Sequence, residues 1–228
     1  MTERPKALVT GASRGVGAAV ARALAPTHDV LLGGRDEQAL SALAAELPGA
    51  RPWPVELTGV TQADVADIDR LDVLVHSAGV ATLGRIADQS ADVWRRTYEV
   101  NVVAVAELTR LLLPALRQAG GHVVCVNSGS GQRANPDWGA YAASKFALKA
   151  FADVLRLEEP LLRVTTVYPG RTATDMQRGV RAYEGGEFEP ERYLRPESVA
   201  RAVVATITAG PDAHLTELTL RPRGGPVN

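Results

Sequence analysis

The chain contains few residues of the kinds that hold metals or disulfides. Only one of its 228 residues is cysteine, Cys125, so an internal disulfide cannot form. Cys125 lies inside an apolar run, where a thiol usually packs as a small hydrophobe. The four histidines are scattered without the spacing of metal ligands. The sequence therefore predicts no metal site.

Strong charge of one sign and long apolar runs are also absent. The formal net charge is −1, so no basic surface indicates nucleic acid or an anionic membrane as a partner. No apolar run reaches the ~20 residues of a membrane-spanning helix, and no signal-peptide pattern precedes the first apolar run. We therefore expect a soluble, cytoplasmic protein that acts on a small molecule.

Short apolar runs alternate with helical segments along the whole chain. With 46% apolar residues, 228 residues are enough to bury a full core. Regular alternation of strands and helices is typical of an open parallel sheet covered on both faces. We predict an α/β fold: a single Rossmann-like, doubly wound domain over residues 1–228, with a seven-stranded parallel sheet and helices on both faces.

Three stretches interrupt this regular pattern. The third strand candidate, residues 51–57, contains Pro52 and Pro54, which favour a position at the sheet edge. Residues 90–118 predict one long helix, bent near Pro114. Residues 171–195 have mixed charge and no periodicity, so we predict a mobile substrate loop there.

A glycine-rich turn, Thr10-Gly-Ala-Ser-Arg-Gly-Val-Gly17, follows the first predicted strand and precedes a helix. This arrangement points free N–H groups at a phosphate, and glycines let the backbone approach the ligand. The spacing differs from the G-x-G-x-x-G pattern of many dinucleotide sites. Tight turns also use glycine for steric reasons alone, so the turn by itself is weak evidence.

The second predicted strand ends in Gly34 and Arg35, where a dinucleotide fold meets the adenosine ribose. A guanidinium at this point suits the 2′-phosphate of NADP, and Arg14 in the glycine turn could reach the same phosphate. Asp36 leaves an alternative open, because a shift of one residue would place an acid there, as NAD requires. Arg35 could also be a solvated residue of the sheet edge.

Tyr141 and Lys145 are spaced four residues apart in a predicted helix, so they lie on one face, one turn apart. At an effective dielectric constant of about 20 and a separation of about 4 Å, the ammonium contributes ~4 kcal/mol to its neighbour. That is about three pK units, enough to lower a tyrosine pKa from ~10 toward ~7. Such a tyrosine can exchange a proton during a reaction, although the same pair also occurs by chance on solvated helix surfaces.

Ser128 ends an apolar run that predicts a buried strand, and its hydroxyl could face Tyr141 across a pocket. Asn101 lies among valines in a predicted helix, where a buried amide must be hydrogen-bonded and often only braces a turn. These residues, the glycine turn, His76-Ser-Ala-Gly79 and Pro169-Gly170 occur in an order and at intervals that resemble the short-chain dehydrogenase/reductase family. The resemblance extends from Lys6 to about Arg221.

The resemblance implies a role for each matching residue. Tyr141 would be the general acid or base, Lys145 would lower its pKa and bind the nicotinamide ribose, and Ser128 would polarise the substrate carbonyl. Asn101 would hold a water that links Lys145 to solvent. The remaining implied contacts are with NADP(H), preferred over NAD(H): Gly11, Ser13, Arg14, Gly15, Val16, Gly17, Arg35, Glu56, Leu57, His76, Ala78, Gly79, Pro169, Gly170, Thr172 and Thr174.

Three features depart from the family pattern. His76-Ser77 replaces an Asn-Asn pair, Glu56-Leu57 replaces the adenine-contacting Asp-Val, and the third crossover helix is short. None of these touches the proton-transfer group, although each could weaken cofactor binding.

Two functions of different classes are compatible with these residues. One is an NADP(H)-dependent oxidoreductase that acts on a carbonyl or secondary alcohol, and the other is a non-catalytic NADP(H)-binding sensor or scaffold. Such scaffolds usually lose the tyrosine or the lysine, and both are present here.

The resemblance also implies a homodimer or homotetramer that packs the helices near residues 94–118 and 141–159 on their counterparts. The first helix carries Val102, Val105, Leu108, Leu112 and Leu116, and the second Ala143, Ala147, Phe151 and Leu155. Each is apolar over more than one stripe. The tail at 221–226 offers little apolar surface for joining two dimers.

Overall fold

The computed structural model describes residues 4–223, so residues 1–3 and 224–228, including the end of the C-terminal tail, lie outside the described part. Seven strands form one sheet in the order β3-β2-β1-β4-β5-β6-β7, and every neighbouring pair is parallel. The strands are β1 (Lys6–Thr10), β2 (Asp29–Gly34), β3 (Ala50–Pro54), β4 (Val73–His76), β5 (His122–Val126), β6 (Arg163–Pro169) and β7 (Glu217–Leu220). The predicted sheet is confirmed, with the proline-containing β3 at its edge.

Helices connect the strands and cover the sheet. They are α1 (Gly15–Leu24), α2 (Glu37–Glu46), α3 (Ala91–Tyr98), α4 (Ala104–Ala119), α5 (Gly139–Glu158), α6 (Asp175–Tyr183) and α7 (Pro196–Ile207). Among the described residues, no helix combines the length and the apolar character that crossing a bilayer requires.

Two hydrophobic cores lie on opposite faces of the sheet, because successive strand residues point to opposite sides. In β1, Ala7 and Val9 pack with residues of α1, α2 and α7. Leu8, between them, packs on the other face with residues of α4 and α5. The predicted doubly wound arrangement is therefore confirmed.

The sheet order reverses between β1 and β4, which are neighbours although two strands separate them in sequence. At this point the Thr10 hydroxyl oxygen accepts hydrogen bonds from the backbone N–H groups of Ser77 (3.0 Å) and Ala78 (3.2 Å). These bonds tie the turns after β1 and β4 together. In parallel α/β folds, ligands bind in the crevice beyond the carboxyl ends of the strands at such a reversal.

The long helix predicted over residues 90–118 is interrupted, and the interruption differs from the bend expected near Pro114. A π-helical segment, Glu99–Val103, separates α3 from α4, while Pro114 lies inside α4. A π-turn widens the backbone by one residue and often marks a functional site. Here it carries Asn101, whose amide bonds are described below.

The segment predicted as a loop, residues 171–195, contains a helix that the sequence analysis missed. Thr174 is the N-cap of α6, and its hydroxyl oxygen accepts a hydrogen bond from the Gln177 backbone N–H at 3.3 Å. Gln177 and Val180 are buried at a spacing of one turn. Because one of these two buried residues is polar, and because charged residues and Gly179 lie among the remaining positions, α6 has no clear apolar stripe in the sequence.

The apolar faces of α4 and α5 are used differently from the prediction. Val105, Leu108, Leu112 and Leu116 of α4, and Leu155 of α5, are all buried in the core beneath the sheet. The apolar side chains that α5 leaves to solvent are instead Phe146, Val154 and Leu157.

Candidate active site

A cavity of about 1100 Å³ opens at the carboxyl ends of the strands. It contains most of the residues that the sequence singled out, although they come from distant parts of the chain. The predicted residues that line it are Gly11, Ser13, Arg14, Gly15, Val16, Gly17, Arg35, Glu56, Leu57, Ala78, Gly79, Ser128, Tyr141, Lys145, Pro169, Gly170, Thr172 and Thr174. His76 and Asn101 lie outside the lining.

Helix α5 places Tyr141 and Lys145 in its first two turns, as predicted. Both are buried, and the Lys145 ammonium Nζ lies 5.8 Å from the centre of the Tyr141 ring. Nζ also donates a hydrogen bond to the carbonyl oxygen of Val126, at the end of β5, at 3.2 Å. The Tyr141 phenol is hydrogen-bonded to Ser128. Ser128 lies two residues after the end of β5, next to Asn127.

The pKa of Tyr141 shifts in the opposite direction from the prediction. Burial raises it above its usual value, and the hydrogen bond with Ser128 offsets this only in part. Burial lowers the pKa of Lys145 to about 8. A positive charge at about 4 Å in a partly hydrated environment would lower the tyrosine pKa. Here the loss of water around both groups has the larger effect on their pKa values.

Asn127 is a residue of the site that the sequence analysis did not single out. Its amide Nδ2 donates to the carbonyl oxygen of Lys145 at 3.0 Å, and its Oδ1 accepts from the Ser128 backbone N–H at 2.8 Å. One buried side chain thus fixes both Ser128 and the turn of α5 that carries Lys145. A polar residue beside Ser128, at the end of an apolar strand, was the available signal.

The Asn101 side chain braces the loop after β4. Its Oδ1 accepts from the Val80 backbone N–H, and its Nδ2 donates to the Val80 carbonyl oxygen, both at 2.9 Å. Nδ2 also donates to the Ser144 hydroxyl at 3.0 Å. The prediction that this buried amide is hydrogen-bonded is confirmed, while its implied water-holding role stays a prediction.

His76 was predicted to contact the cofactor, but the structure places it elsewhere. It ends β4 on the same face as Leu74, against α4, because strand residues two apart share a face. Its Nε2 lies 2.8 Å from the Thr109 hydroxyl, which itself donates to the Val105 carbonyl oxygen. His76 is therefore the donor, and Ser77 lines the cavity instead.

The glycine turn and the start of α1 have the features that hold a phosphate. Gly11 has φ of +65°, and a Cβ there would lie 2.9 Å from Ala78 Cα, so no larger residue fits. The first turn of α1 has no acidic residue, and its N-cap, Arg14, makes no side-chain cap. Its backbone N–H groups are therefore available to an anion. These residues fit the pyrophosphate of a dinucleotide.

The two arginines predicted to bind a 2′-phosphate both line the cavity, each near an acid. Arg35 Nη1 lies 3.5 Å from Glu56 Oε2, and Arg14 Nη1 lies 3.6 Å from Asp175 Oδ2. The alternative that Asp36 occupies the strand tip is not what the structure shows. The Asp36 carboxylate caps α2 by accepting the Ala39 backbone N–H at 3.0 Å.

Glu56, which lines the cavity beside Arg35, is ionised at neutral pH. Burial acts to raise its pKa, but hydrogen bonds from Thr58 and the positive charges of Arg35 and Arg96 outweigh it, so the pKa lies below its usual value. Glu56 therefore competes with a bound anion for Arg35.

The loop after β6 supplies the opposite wall. The Thr172 hydroxyl donates to the Gly170 carbonyl oxygen at 3.0 Å, and the Thr174 hydroxyl donates to the Thr172 carbonyl oxygen at 3.3 Å. Gln177 also lines the cavity, and its Nε2 has no hydrogen-bond partner within residues 4–223. The N-cap pattern at Thr174 was the signal that could have placed Gln177 in the site.

Metal chemistry has no support from the described residues. Within residues 4–223, no group of three or more histidine, cysteine, aspartate or glutamate side chains is placed to hold a metal ion. The lone Cys125 is buried, and burial raises its thiol pKa to about 12. It is packed as a hydrophobe, as predicted.

Comparison with known proteins identifies the family of the chain. The family profile described as short chain dehydrogenase matches residues 5–185. Glycine betaine reductase ATRR of Emericella nidulans is 34% identical over 97% of this chain, which corresponds to only 19% of that protein's length.

Two solved structures show the same fold. An alcohol dehydrogenase from the archaeon Thermococcus sibiricus, complexed with 5-hydroxy-NADP, matches 96% of this chain and 97% of its own with a TM-score of 0.86 and 27% identity. A short chain dehydrogenase from Escherichia coli CFT073, complexed with NADPH, matches 94% of this chain and 95% of its own with a TM-score of 0.83 and 29% identity. The chain belongs to the short-chain dehydrogenase/reductase family, and it is an oxidoreductase of that family with a site for a nicotinamide cofactor.

Proposed function

We propose that the protein is an NADP(H)-dependent oxidoreductase that interconverts a carbonyl and a secondary alcohol. The observation that carries this proposal is the Tyr141 phenol, hydrogen-bonded to Ser128 and one helical turn from buried Lys145, at the wall of the cavity. A bound nicotinamide supplies or accepts the hydride, and the protein supplies position and a proton.

The glycine turn and the start of α1 would hold the pyrophosphate. Gly11, Ser13 and Gly15 bring backbone close to the cavity, and the free N–H groups of α1 favour negative charge. Pro169, Gly170, Thr172 and Thr174 would border the nicotinamide end.

Tyr141 would donate the proton in the reductive direction. Because burial raises its pKa, the phenol is protonated at neutral pH and ready to act as an acid. The carbonyl carbon gains the hydride, its oxygen gains the Tyr141 proton, and the product is the alcohol. In oxidation the same atoms move in reverse, with the Tyr141 phenolate as the base.

Lys145 and Ser128 would stabilise the negative charge that Tyr141 acquires when it loses its proton. With a pKa of about 8, Lys145 is largely cationic at pH 7. Its Nζ lies against the Tyr141 ring, where water is excluded, so the charge acts at low dielectric. The Ser128 hydroxyl would hold the substrate oxygen beside the phenol.

Two cations of the cavity wall support a preference for NADP(H) over NAD(H). Arg35 lines the cavity directly after β2, Arg14 lines it in the glycine turn, and the acid that could have taken the place of Arg35, Asp36, is used as a helix cap. Both structural relatives described above carry NADP-type cofactors. A guanidinium suits a phosphate because it offers two parallel donors and a fixed charge.

Replacement of Tyr141 tests the proposal. Tyr141→Phe keeps the ring and removes the proton, so NADPH should bind with unchanged affinity while aldehyde or ketone reduction falls by at least about 100-fold. Tyr168→Phe is a matched control, since the Tyr168 phenol bonds Glu217 outside the cavity. Near-wild-type reduction by Tyr141→Phe would reject the assignment. If the wild type bound NADPH but reduced no carbonyl compound, the alternative function, a non-catalytic NADP(H)-binding sensor or scaffold, would be favoured.

A further inference from the structure

Six arginines line the cavity, and three of them are paired with acids. A fourth, Arg96, acts on Glu56 through its charge, which leaves Arg133 and Arg221 without an acid among residues 4–223. Arg14 faces Asp175 and Arg35 faces Glu56, as described above. Arg171, at the mouth of the cavity, forms a two-pronged ion pair with Glu184. All three acids that line the cavity are therefore engaged by arginines other than Arg133 and Arg221.

Arg133 is the cation nearest to Ser128 in sequence, and its side chain forms no ion pair or hydrogen bond with residues 4–223. A short helical turn, Gly129–Gly131, follows Ser128, and the Arg133 backbone N–H donates to the Gly129 carbonyl oxygen at 3.0 Å. This bond holds Arg133 on the wall that it shares with Ser128 and Trp138. An unneutralised guanidinium on a cavity wall favours an anionic ligand.

Arg221 adds a second positive charge near Ser128, and no carboxylate of residues 4–223 forms an ion pair with it. Its guanidinium donates to the carbonyl oxygens of Tyr168 (3.2 Å) and Leu220 (3.0 Å) and to the Gln132 side chain (3.2 Å). A Cβ at Gly129 would lie 3.5 Å from it. The backbone next to Ser128 therefore lies close to Arg221. The same stretch of backbone leads, within five residues, to Arg133.

From this charge distribution we infer that the substrate is a carbonyl compound that also carries a carboxylate, which Arg133 binds beside Ser128. A carboxylate matches one guanidinium, since its two oxygens accept two parallel N–H bonds. Three of the five N–H donors of Arg221 are already used in these bonds, so it contributes mainly through its charge. This inference rests on the proposed carbonyl reduction and names the class of substrate that it uses.

Matched pairs of aldehydes test the carboxylate site. The wild type and Arg133→Gln would be compared on meta- and para-formylbenzoate, on their methyl esters and on para-formylphenyl phosphate, all with NADPH. We expect the wild-type kcat/KM to be about tenfold higher for an acid than for its ester. Arg133→Gln should remove that preference through KM for the acid, and leave the ester unchanged within about twofold.

Control variants separate the subsite from general effects. Arg133→Lys keeps the charge and should retain part of the preference, while Arg201→Gln, on α7 and outside the cavity, should change nothing. Because Arg133 is exposed, the preference should also shrink as salt is raised. A higher kcat/KM for para-formylphenyl phosphate than for both formylbenzoates would show that the site does not select a carboxylate.

The outcomes distinguish this inference from the proposed function. If esters are reduced and the acids are no better, or if Arg133→Gln weakens acids and esters equally, the carboxylate site is wrong while the reductase stands. If nothing is reduced, calorimetric binding of para-formylbenzoate to the NADP⁺-loaded protein decides. Binding lost in Arg133→Gln supports the site, and no binding, or equal binding by both proteins, rejects it.

Discussion

Burial acts on Tyr141 and Lys145 in opposite directions at the level of single residues. It disfavours the charged form of each, so it raises the pKa of the phenol and lowers the pKa of the ammonium to about 8. The two pKa values are therefore farther apart than they would be in water, with the phenol neutral and the ammonium still largely charged at pH 7. This is the condition under which a lysine can influence a proton transfer without holding the tyrosine permanently ionised.

The same burial predicts that Lys145 destabilises the folded protein. Its folded pKa of about 8 lies below 10.5, so the unfolded chain binds the proton more tightly, and the penalty is complete below pH 8 and disappears toward pH 10.5. Lys145→Met should raise the free energy of unfolding at pH 7 by about 2 kcal/mol while reduction collapses. Urea unfolding beside an activity assay measures both effects.

Lys149 on the same helix provides the control. It forms ion pairs with Asp153 (2.7 Å) and Glu217 (3.0 Å), and those hydrogen bonds raise its pKa. Lys149→Met should therefore lower stability or leave it unchanged. If Lys145→Met were as destabilising as Lys149→Met, the ammonium would not be strained by burial.

The sequence was enough to propose the catalytic side chains, but it could not predict their protonation. The spacing of Tyr141 and Lys145 determines their common face through helix geometry alone. Their pKa values depend on how much water remains around them, which follows from β5, the loop after β4 and the rest of α5 together. Asn127 escaped notice for the same reason, because its two bonds join segments that only the fold brings together.

At the scale of elements, the turn between β2 and α2 would form the ribose end of the proposed cofactor site. The Asp36 cap holds the start of α2 and turns this acid away from the cavity, while Arg35 remains exposed beside Glu56. The turn thus offers a cation to the 2′-position and a carboxylate that competes for it.

This competition gives a prediction with two opposite mutations. Arg35→Ala should weaken NADPH by about tenfold and leave NADH nearly unchanged, since a charge-assisted bond at an exposed site contributes about 1.5 kcal/mol. Glu56→Gln should strengthen NADPH, because it removes the competing charge. Fluorescence titration of the wild type and both variants with NADPH and with NADH measures the six affinities. Equal affinity of the wild type for NADPH and NADH would contradict the assignment.

The elements that the sequence failed to predict are those whose local pattern is weak. The apolar positions of residues 90–118 predict helix throughout, but they do not reveal the extra residue of the π-turn at Glu99–Val103. Helix α6 buries only Gln177 and Val180, too little for a periodic signal. His76 was assigned to the cofactor through its motif, although its alternation with Leu74 already placed it on the α4 face.

At the scale of the whole molecule, the histidines make the fold sensitive to acid. Burial lowers the pKa of His76 and of His122 to about 3, and it also lowers the pKa values of His28 and His214. Below pH 6.5 the unfolded chain therefore binds more protons than the folded chain, so stability falls as the pH falls. His122 has a further weakness, because its Nδ1 has no hydrogen-bond partner within residues 4–223.

We expect the urea midpoint of unfolding to fall steadily from pH 6.5 to pH 5, before most carboxylates titrate. The free energy of unfolding should fall by several kcal/mol over this range, since each pK unit corresponds to about 1.4 kcal/mol. A His76→Asn, His122→Asn double variant should show a shallower pH dependence, whatever its stability at pH 7. A wild-type midpoint that does not change between pH 7 and pH 5 would show that these imidazoles are not held neutral by the fold.

The exposed face of α5 is where a second copy of the chain would dock. Phe146, Val154 and Leu157 are 44%, 50% and 82% exposed and follow one side of the helix, while the partly buried Ala143 and Ala147 keep that side shallow. Small residues between large ones let two helices approach closely. Since α4 buries its leucines in its own core, the contact we propose is centred on α5.

The last prediction is that the protein is a homodimer through this face, or a homotetramer built from two such dimers. Light scattering at micromolar concentration should give at least twice the 24.2 kDa chain mass. Val154→Glu should shift the protein toward monomer, because a paired interface would bury two carboxylates without partners. Leu215→Glu, at an exposed leucine outside α5, should leave the mass unchanged. A monomer mass for the wild type, with and without NADPH, would mean that α5 faces solvent and that each active site works alone.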